Sequence, residues 1–150
     1  MIFFDVLKFL NHYWSFSIVL LTFILSIICI GFIYSGILDS LKSFLKLQLQ
    51  PARLINDYIE IVGMGGAFLN AAVVGLIGLG LIKISGIQLS GPTYAGVLTM
   101  IGFGLFGKTP LNIIPIIIGV FLAAKIAKKS FKEYLIIALF GTALGPLIST

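Results

Sequence analysis

WSFSIVLLTFILSIICIGFIY, Trp14 to Tyr34, carries no charged residue over 21 positions. At about 1.5 Å per residue, a helix of that length covers the roughly 30 Å hydrocarbon core of a bilayer. Tyr13 and Trp14 stand at one end, Phe32 and Tyr34 at the other. Amphipathic rings favour the two membrane–water boundaries. A cleaved signal peptide fits poorly: the run is too long, Asp5 interrupts a basic start, and no small-x-small cleavage site follows. The stretch predicts a retained transmembrane helix over 14–34.

Composition extends that reading to the whole chain. Of 150 residues, 59% are hydrophobic and only 10% are charged, and the mean hydropathy is +1.18. Soluble domains carry about 25% charged residues, so this chain cannot cover a water-facing surface. Disorder is excluded for the same reason. The length leaves room for about four to six membrane segments. The net charge of +5 comes from basic residues gathered mainly in two short stretches between apolar runs, which is a topology signal rather than a nucleic-acid one. Cys29 and His12 are each the only residue of their type, so neither a disulfide nor a thiolate–imidazole metal site is expected.

Downstream, Leu38, Leu41, Leu45 and Leu49 recur at helical spacing, with Asp39, Lys42 and Lys46 between them. This predicts an amphipathic helix over 37–50 lying in the interface plane, ended by Pro51. A second uncharged span follows over 61–82, rich in Gly and Ala. Small residues let membrane helices approach closely, so this span is expected to be buried among others. Three apolar pieces come next: Thr93–Phe106, Leu111–Ala124 and Tyr134–Leu147, each 14 residues long and interrupted or bounded by Gly or Pro. Pieces that short fit half-helices or re-entrant segments better than straight spans. Lys42, Lys46 and Arg53 mark one basic loop, and Lys125, Lys128, Lys129 and Lys132 another. Placing both in the cytoplasm requires one net crossing over 93–124, broken near Gly107–Pro110. The loop at Lys83–Pro92 and the N-terminus would then be external, and 134–148 would form a final segment heading outward.

The candidate functional residues cluster at that break. Gly102-Phe103-Gly104-Leu105-Phe106-Gly107-Lys108-Thr109-Pro110 precedes Asn112 and Pro115. Gly and Pro release backbone groups from helix bonding, which survives in a membrane only inside protein or along a wet cavity. Lys108 is an ionisable group between apolar pieces, and such groups mark functional sites. Asn70 is a second amide set in an apolar run, suited to bonding across helices or touching a solute. The competing reading makes GKTP a surface loop, with Lys108 reaching the headgroups. The candidate path is Asn70, Gly104, Gly107, Lys108, Asn112 and Pro115. No HExxH, GxSxG or Cys–His pair is present, so no catalytic residue, cofactor or metal ligand is nominated and an enzyme is not expected.

GPTYAGVLTMIGFGLFGKTPLNIIPIIIGVFLAAK, Gly91 to Lys125, and GMGGAFLNAAVVG, Gly63 to Gly75, carry a family likeness. They resemble the bacterial membrane proteins grouped as domain of unknown function 1576. The likeness extends over about Asp57 to Leu147, with Gly102, Phe103, Phe106, Gly107, Lys108, Asn112 and Pro115 in its most specific pattern. The resemblance implies a repeat architecture, with this chain as one of two copies in a longer protein. It carries no activity over.

The expectation is therefore an all-α polytopic membrane protein. It has two full spans, an interfacial amphipathic helix and short Gly/Pro-broken membrane segments, all in one membrane domain over 1–150. The expected place is the bacterial cytoplasmic membrane, and the expected partners are the lipid bilayer and a second repeat or homo-oligomer copy. The expected function is half of a small-solute transporter or channel. The alternative is a non-transporting subunit or scaffold that packs through Gly-rich helices.

Overall fold

A computed structural model describes residues 2–50 and 56–148, with side chains over 17–50 and 56–147. The side chains of Asp5, His12, Tyr13 and Trp14, and the residues Pro51 and Arg53, on which some of these expectations rest, lie outside the described residues. The regular elements among the described residues are all helical: α1 (Ile2–Ser35), α2 (Ile37–Gln48), α3 (Tyr58–Ser85), α4 (Gly91–Phe103), α5 (Pro110–Ile126), α6 (Phe131–Gly141), a 3-10 turn (Thr142–Leu144) and α7 (Gly145–Ile148). Ser17–Ser35 and Tyr58–Ser85 are long and apolar enough to cross a membrane, while Pro110–Ile126 is apolar but shorter.

Local chemistry sets the boundaries. Asp57 caps α3 by accepting from the Ile59 and Glu60 amides, and Gly86, at φ 62°, closes it. A positive φ suits a residue without Cβ. Thr109 with Asn112 and Ser130 with Glu133 form reciprocal caps at the starts of α5 and α6. Inside α3, Gly63 departs from helical geometry, so a first short turn is bent against the remainder.

Helix α3 is the spine. It packs against α1, α2, α4, α5 and α6. Its small residues are what permit this: Gly66 abuts Ser43 of α2, and Gly75 abuts Ile24 of α1 and Ile101 of α4. Leu20, Ile24, Val74, Val97, Met100, Ile113, Leu135 and Leu139 form one buried apolar cluster around it.

Helix α2 ends at Gln48, two residues short of the expected span. It presents three faces. Ser40 and Leu47 are buried, with Ser43, Phe44 and Gln48 half-buried, toward α3. Ile37, Leu38, Leu41, Leu45 and Leu49 are exposed on one flank. Asp39, Lys42 and Lys46 are exposed on the other. The Ser40 and Ser43 hydroxyls thus lie inward beside Leu47, while Leu38, Leu41, Leu45 and Leu49 face outward, unlike a helix that turns its apolar stripe onto a water-soluble core.

The contacts also fix the helix directions. Gly78 lies against Met100 and Val97, Gly75 against Ile101, and Gly104 against Ala71, so α4 runs antiparallel to α3. Asn112 meets Gly145, Ile116 meets Gly141, and the Phe121 and Phe131 rings are 5.7 Å apart, so α5 runs antiparallel to α6. Lys132 reaches Gly86, Leu139 packs on Gly96, and Thr142 bonds Lys108, so α6 starts beside the α3–α4 turn and ends beside the break. Hence α4 descends from one end, the chain turns at Gly104–Thr109, and α5 returns to the same end. Helix α6 descends again, packed on both arms.

The segment expected to make a single crossing over 93–124 has the form of a hairpin, its two arms starting and ending at one end of α3. The loops at 86–90 and 127–130 share one end, where positive-charge counting placed them on opposite sides. The physical reason is length. Thirteen and 17 residues reach only about 20 and 25 Å, and α6 offers both arms a common packing partner. The segment expected over 134–148 begins earlier, at Phe131, and breaks at Thr142.

Candidate functional site

The hairpin tip is where backbone regularity fails. Past Phe103 the last turn tightens, with the Leu105 amide donating to Gly102 O at 3.0 Å and the Phe106 amide to Phe103 O at 3.0 Å. The Lys108 amide then folds back onto Phe103 O at 2.9 Å. Two glycines allow the turn. Gly104 lies so close to α3 that a Cβ there would stand 2.6 Å from Ala71 Cα. Gly107 has φ 137°, a conformation that side-chain-bearing residues avoid.

Side-chain amides satisfy the freed carbonyls. Asn70 Nδ2 donates to both Gly104 O and Lys108 O, at 2.7 Å each, and so ties α3 to both sides of the turn. Its Oδ1 accepts from Gln48 Nε2 at 3.1 Å, which brings the end of α2 to the same place. Asn112 Nδ2 donates to Gly107 O at 2.8 Å, while Asn112 Oδ1 accepts from the Thr109 amide at 2.9 Å. Tyr58, at the start of α3, donates its amide to Leu105 O at 3.1 Å. Buried backbone groups must find partners, and here the Asn70 and Asn112 side chains and the Tyr58 amide supply them, with Gln48 of α2 bonded to Asn70 in turn.

Lys108 is 0% exposed. Its Nζ donates to Thr142 Oγ1 at 2.9 Å and lies 5.1 Å from the centre of the Phe103 ring. Thr142 in turn donates to Leu139 O at 2.6 Å, which leaves its oxygen free to accept from the lysine. No carboxylate of the described residues pairs with Lys108. The ion pairs among those residues are Lys42–Asp39 at 4.0 Å and Lys129–Glu133 at 3.6 Å, both exposed. A charged group without a counter-charge is costly to bury.

Five of the six predicted path residues therefore meet: Asn70, Gly104, Gly107, Lys108 and Asn112. Pro115 does not. It is exposed inside α5, where it removes one helical amide but touches none of this network. Thr142 and Gln48 belong to the site and were not anticipated. Thr142 carried a signal, as a hydroxyl beside Gly141 in an apolar piece; Gln48 carried none beyond its place at the end of α2. Among the described residues no group of three His, Cys, Asp or Glu gathers. A groove of about 530 Å³, lined by Ser17, Leu21, Leu76, Leu79, Gly80 and Lys83 among others, lies toward the opposite end of α3 and holds none of this chemistry.

Fold and site together define an all-helical chain with a helical hairpin whose tip buries a lone lysine among amide-bonded carbonyls. Residues 37–150 match the family described as "Protein of unknown function (DUF1576)", and the chain belongs to that family. No curated protein and no solved structure matches it.

Proposed function

We propose that this chain is a multi-pass protein of the bacterial cytoplasmic membrane, forming half of a transporter or channel. Its solute path runs past the tip of the α4–α5 hairpin. The observation that carries this reading is Lys108, wholly buried beside unwound backbone. Broken helices with ionisable groups at depth are how many transporters build their sites.

Surface chemistry supports the bilayer. Ile18, Val19, Leu21, Phe23, Leu25, Ile30 and Ile33 of α1 are all exposed, a stripe far too apolar for water. Helix α2, with leucines on one flank and lysines on the other, suits the headgroup boundary. The end bearing the 86–90 and 127–130 loops holds Lys83, Lys125, Lys128, Lys129 and Lys132, against Lys42 and Lys46 on α2. The more basic end faces the cytoplasm in this reading. The α4–α5 hairpin then re-enters from the cytoplasmic side, and the 83–92 loop is internal.

The scaffold alternative has less surface to use. Gly65, Gly66, Gly75 and Gly78 are already covered by this chain's own Ser35, Ser40, Ser43, Ile101 and Met100. The test is solute-driven swelling of vesicles reconstituted with the purified protein, followed by light scattering. Transport predicts that at least one small solute equilibrates faster than in protein-free vesicles. Identical rates for every solute would favour the scaffold.

A further inference from the structure

We infer that the solute taken at the hairpin tip is a small anion, with Lys108 as its counter-charge. This rests on the path reading above and goes on to name the substrate class.

The argument is a balance of hydrogen-bonding capacity. The backbone acceptors of the turn are engaged, while Gln48 Oε1, on the far side of Asn70, is a buried acceptor without a partner. Gly104 O and Lys108 O take the Asn70 amide, Gly107 O takes Asn112, Leu105 O takes the Tyr58 amide, and Phe103 O takes two backbone amides. A metal or organic cation would need those oxygens and would face the lysine's repulsion. The donors are not all engaged. An ammonium has three N–H groups, and Lys108 gives one to Thr142 while the Phe103 ring faces its charge at 5.1 Å. Around the Lys108 head itself, the spare capacity is thus donor capacity and positive charge.

The lysine's neighbours sharpen this. Every described acid, Asp39, Asp57, Glu60 and Glu133, is exposed, so none neutralises the buried cation. Thr142 is a neutral acceptor held by its own bond to Leu139 O. A buried charge is stable when paired with an opposite charge and satisfied by hydrogen bonds. A ligand that only accepts, and carries one negative charge, supplies both. Lys108 is wholly buried beside Phe103, Thr142 and the amide-tied turn, which favours a compact anion over a bulky one.

The test uses the same reconstituted vesicles, with potassium and valinomycin to compensate charge. Chloride, nitrate and lactate are compared with glycerol, urea and choline in the wild type and in Lys108→Met. The expected result is flux of at least one of the three anions well above protein-free vesicles, cut at least tenfold in Lys108→Met, with choline unmoved. Flux of glycerol, urea or choline without anion flux would overturn the anion and keep the path. So would anion flux that Lys108→Met leaves unchanged. No flux of any solute would overturn both.

Methionine matches the apolar surroundings, so the variant is expected to fold. Should it fail to, melting of the wild type in detergent decides. A rise in melting temperature with sodium nitrate over an equal concentration of choline gluconate supports the site, and equal melting overturns it.

Discussion

The tip and the base of the α4–α5 hairpin treat the same residue type in opposite ways. At the tip, Lys108 is 0% exposed and bonds a neutral hydroxyl. At the base, Lys129 has a side chain 57% exposed and sits 3.6 Å from Glu133. Water and a carboxylate make the basal lysine cheap to hold and easy to lose. The apical lysine has neither, and the turn around it is held by Asn70, Asn112 and Gln48 instead. Regular helix needs only a fitting surface, whereas broken backbone needs dedicated polar partners, and those partners are where substitutions will be felt.

The largest expected effect breaks the tip sterically. Gly104→Val places a side chain against Ala71 backbone with no space to receive it. A loss of about 3 kcal/mol is expected, read as a lowered melting temperature in detergent; an unchanged value would mean the α3–α4 contact is looser than described. Next is Asn70→Leu, which strands two carbonyls and leaves Gln48 Nε2 with Phe44 O alone. Its expected cost is about 1–3 kcal/mol, and a neutral result would remove the amide ties from the account.

Gln48→Leu should cost less, about 1 kcal/mol, because Asn70 keeps both of its own donated bonds and Gln48 Oε1 already lacks a partner. If it cost more than Asn70→Leu, α2 rather than α3 would be organising the turn. Smallest is Lys129→Ala at the base. An exposed i,i+4 pair contributes about 0.3–0.5 kcal/mol, and a loss several times larger would show that base and tip are not the opposites described.

Much of this was legible in the sequence. Uncharged runs gave the two helices long and apolar enough to cross a membrane, because length and apolar composition are read directly from the residues. Leucine spacing gave α2. The Gly-Lys-Thr-Pro interruption gave the break, since those residues disrupt helical bonding whatever surrounds them. Hairpin direction was not legible. Positive-charge counting put the two basic loops on one side, and from that one net crossing between Gly91 and Ala124 followed. That segment returns instead, because the partner that fixes its course, α6, follows later in the chain. Thr142 was missed for the same reason: its meeting with Lys108 depends on tertiary packing across 34 positions.

The most direct test of the buried tip is thiol accessibility. In a Cys29→Ala background, Lys108→Cys and Lys129→Cys are labelled with a charged thiol reagent in intact cells and in open vesicles. Position 129 is predicted to label quickly from the cytoplasmic side only, and position 108 slowly or not at all until denaturant is added. Labelling at 108 as fast as at 129 would make the tip a surface loop and contradict the account.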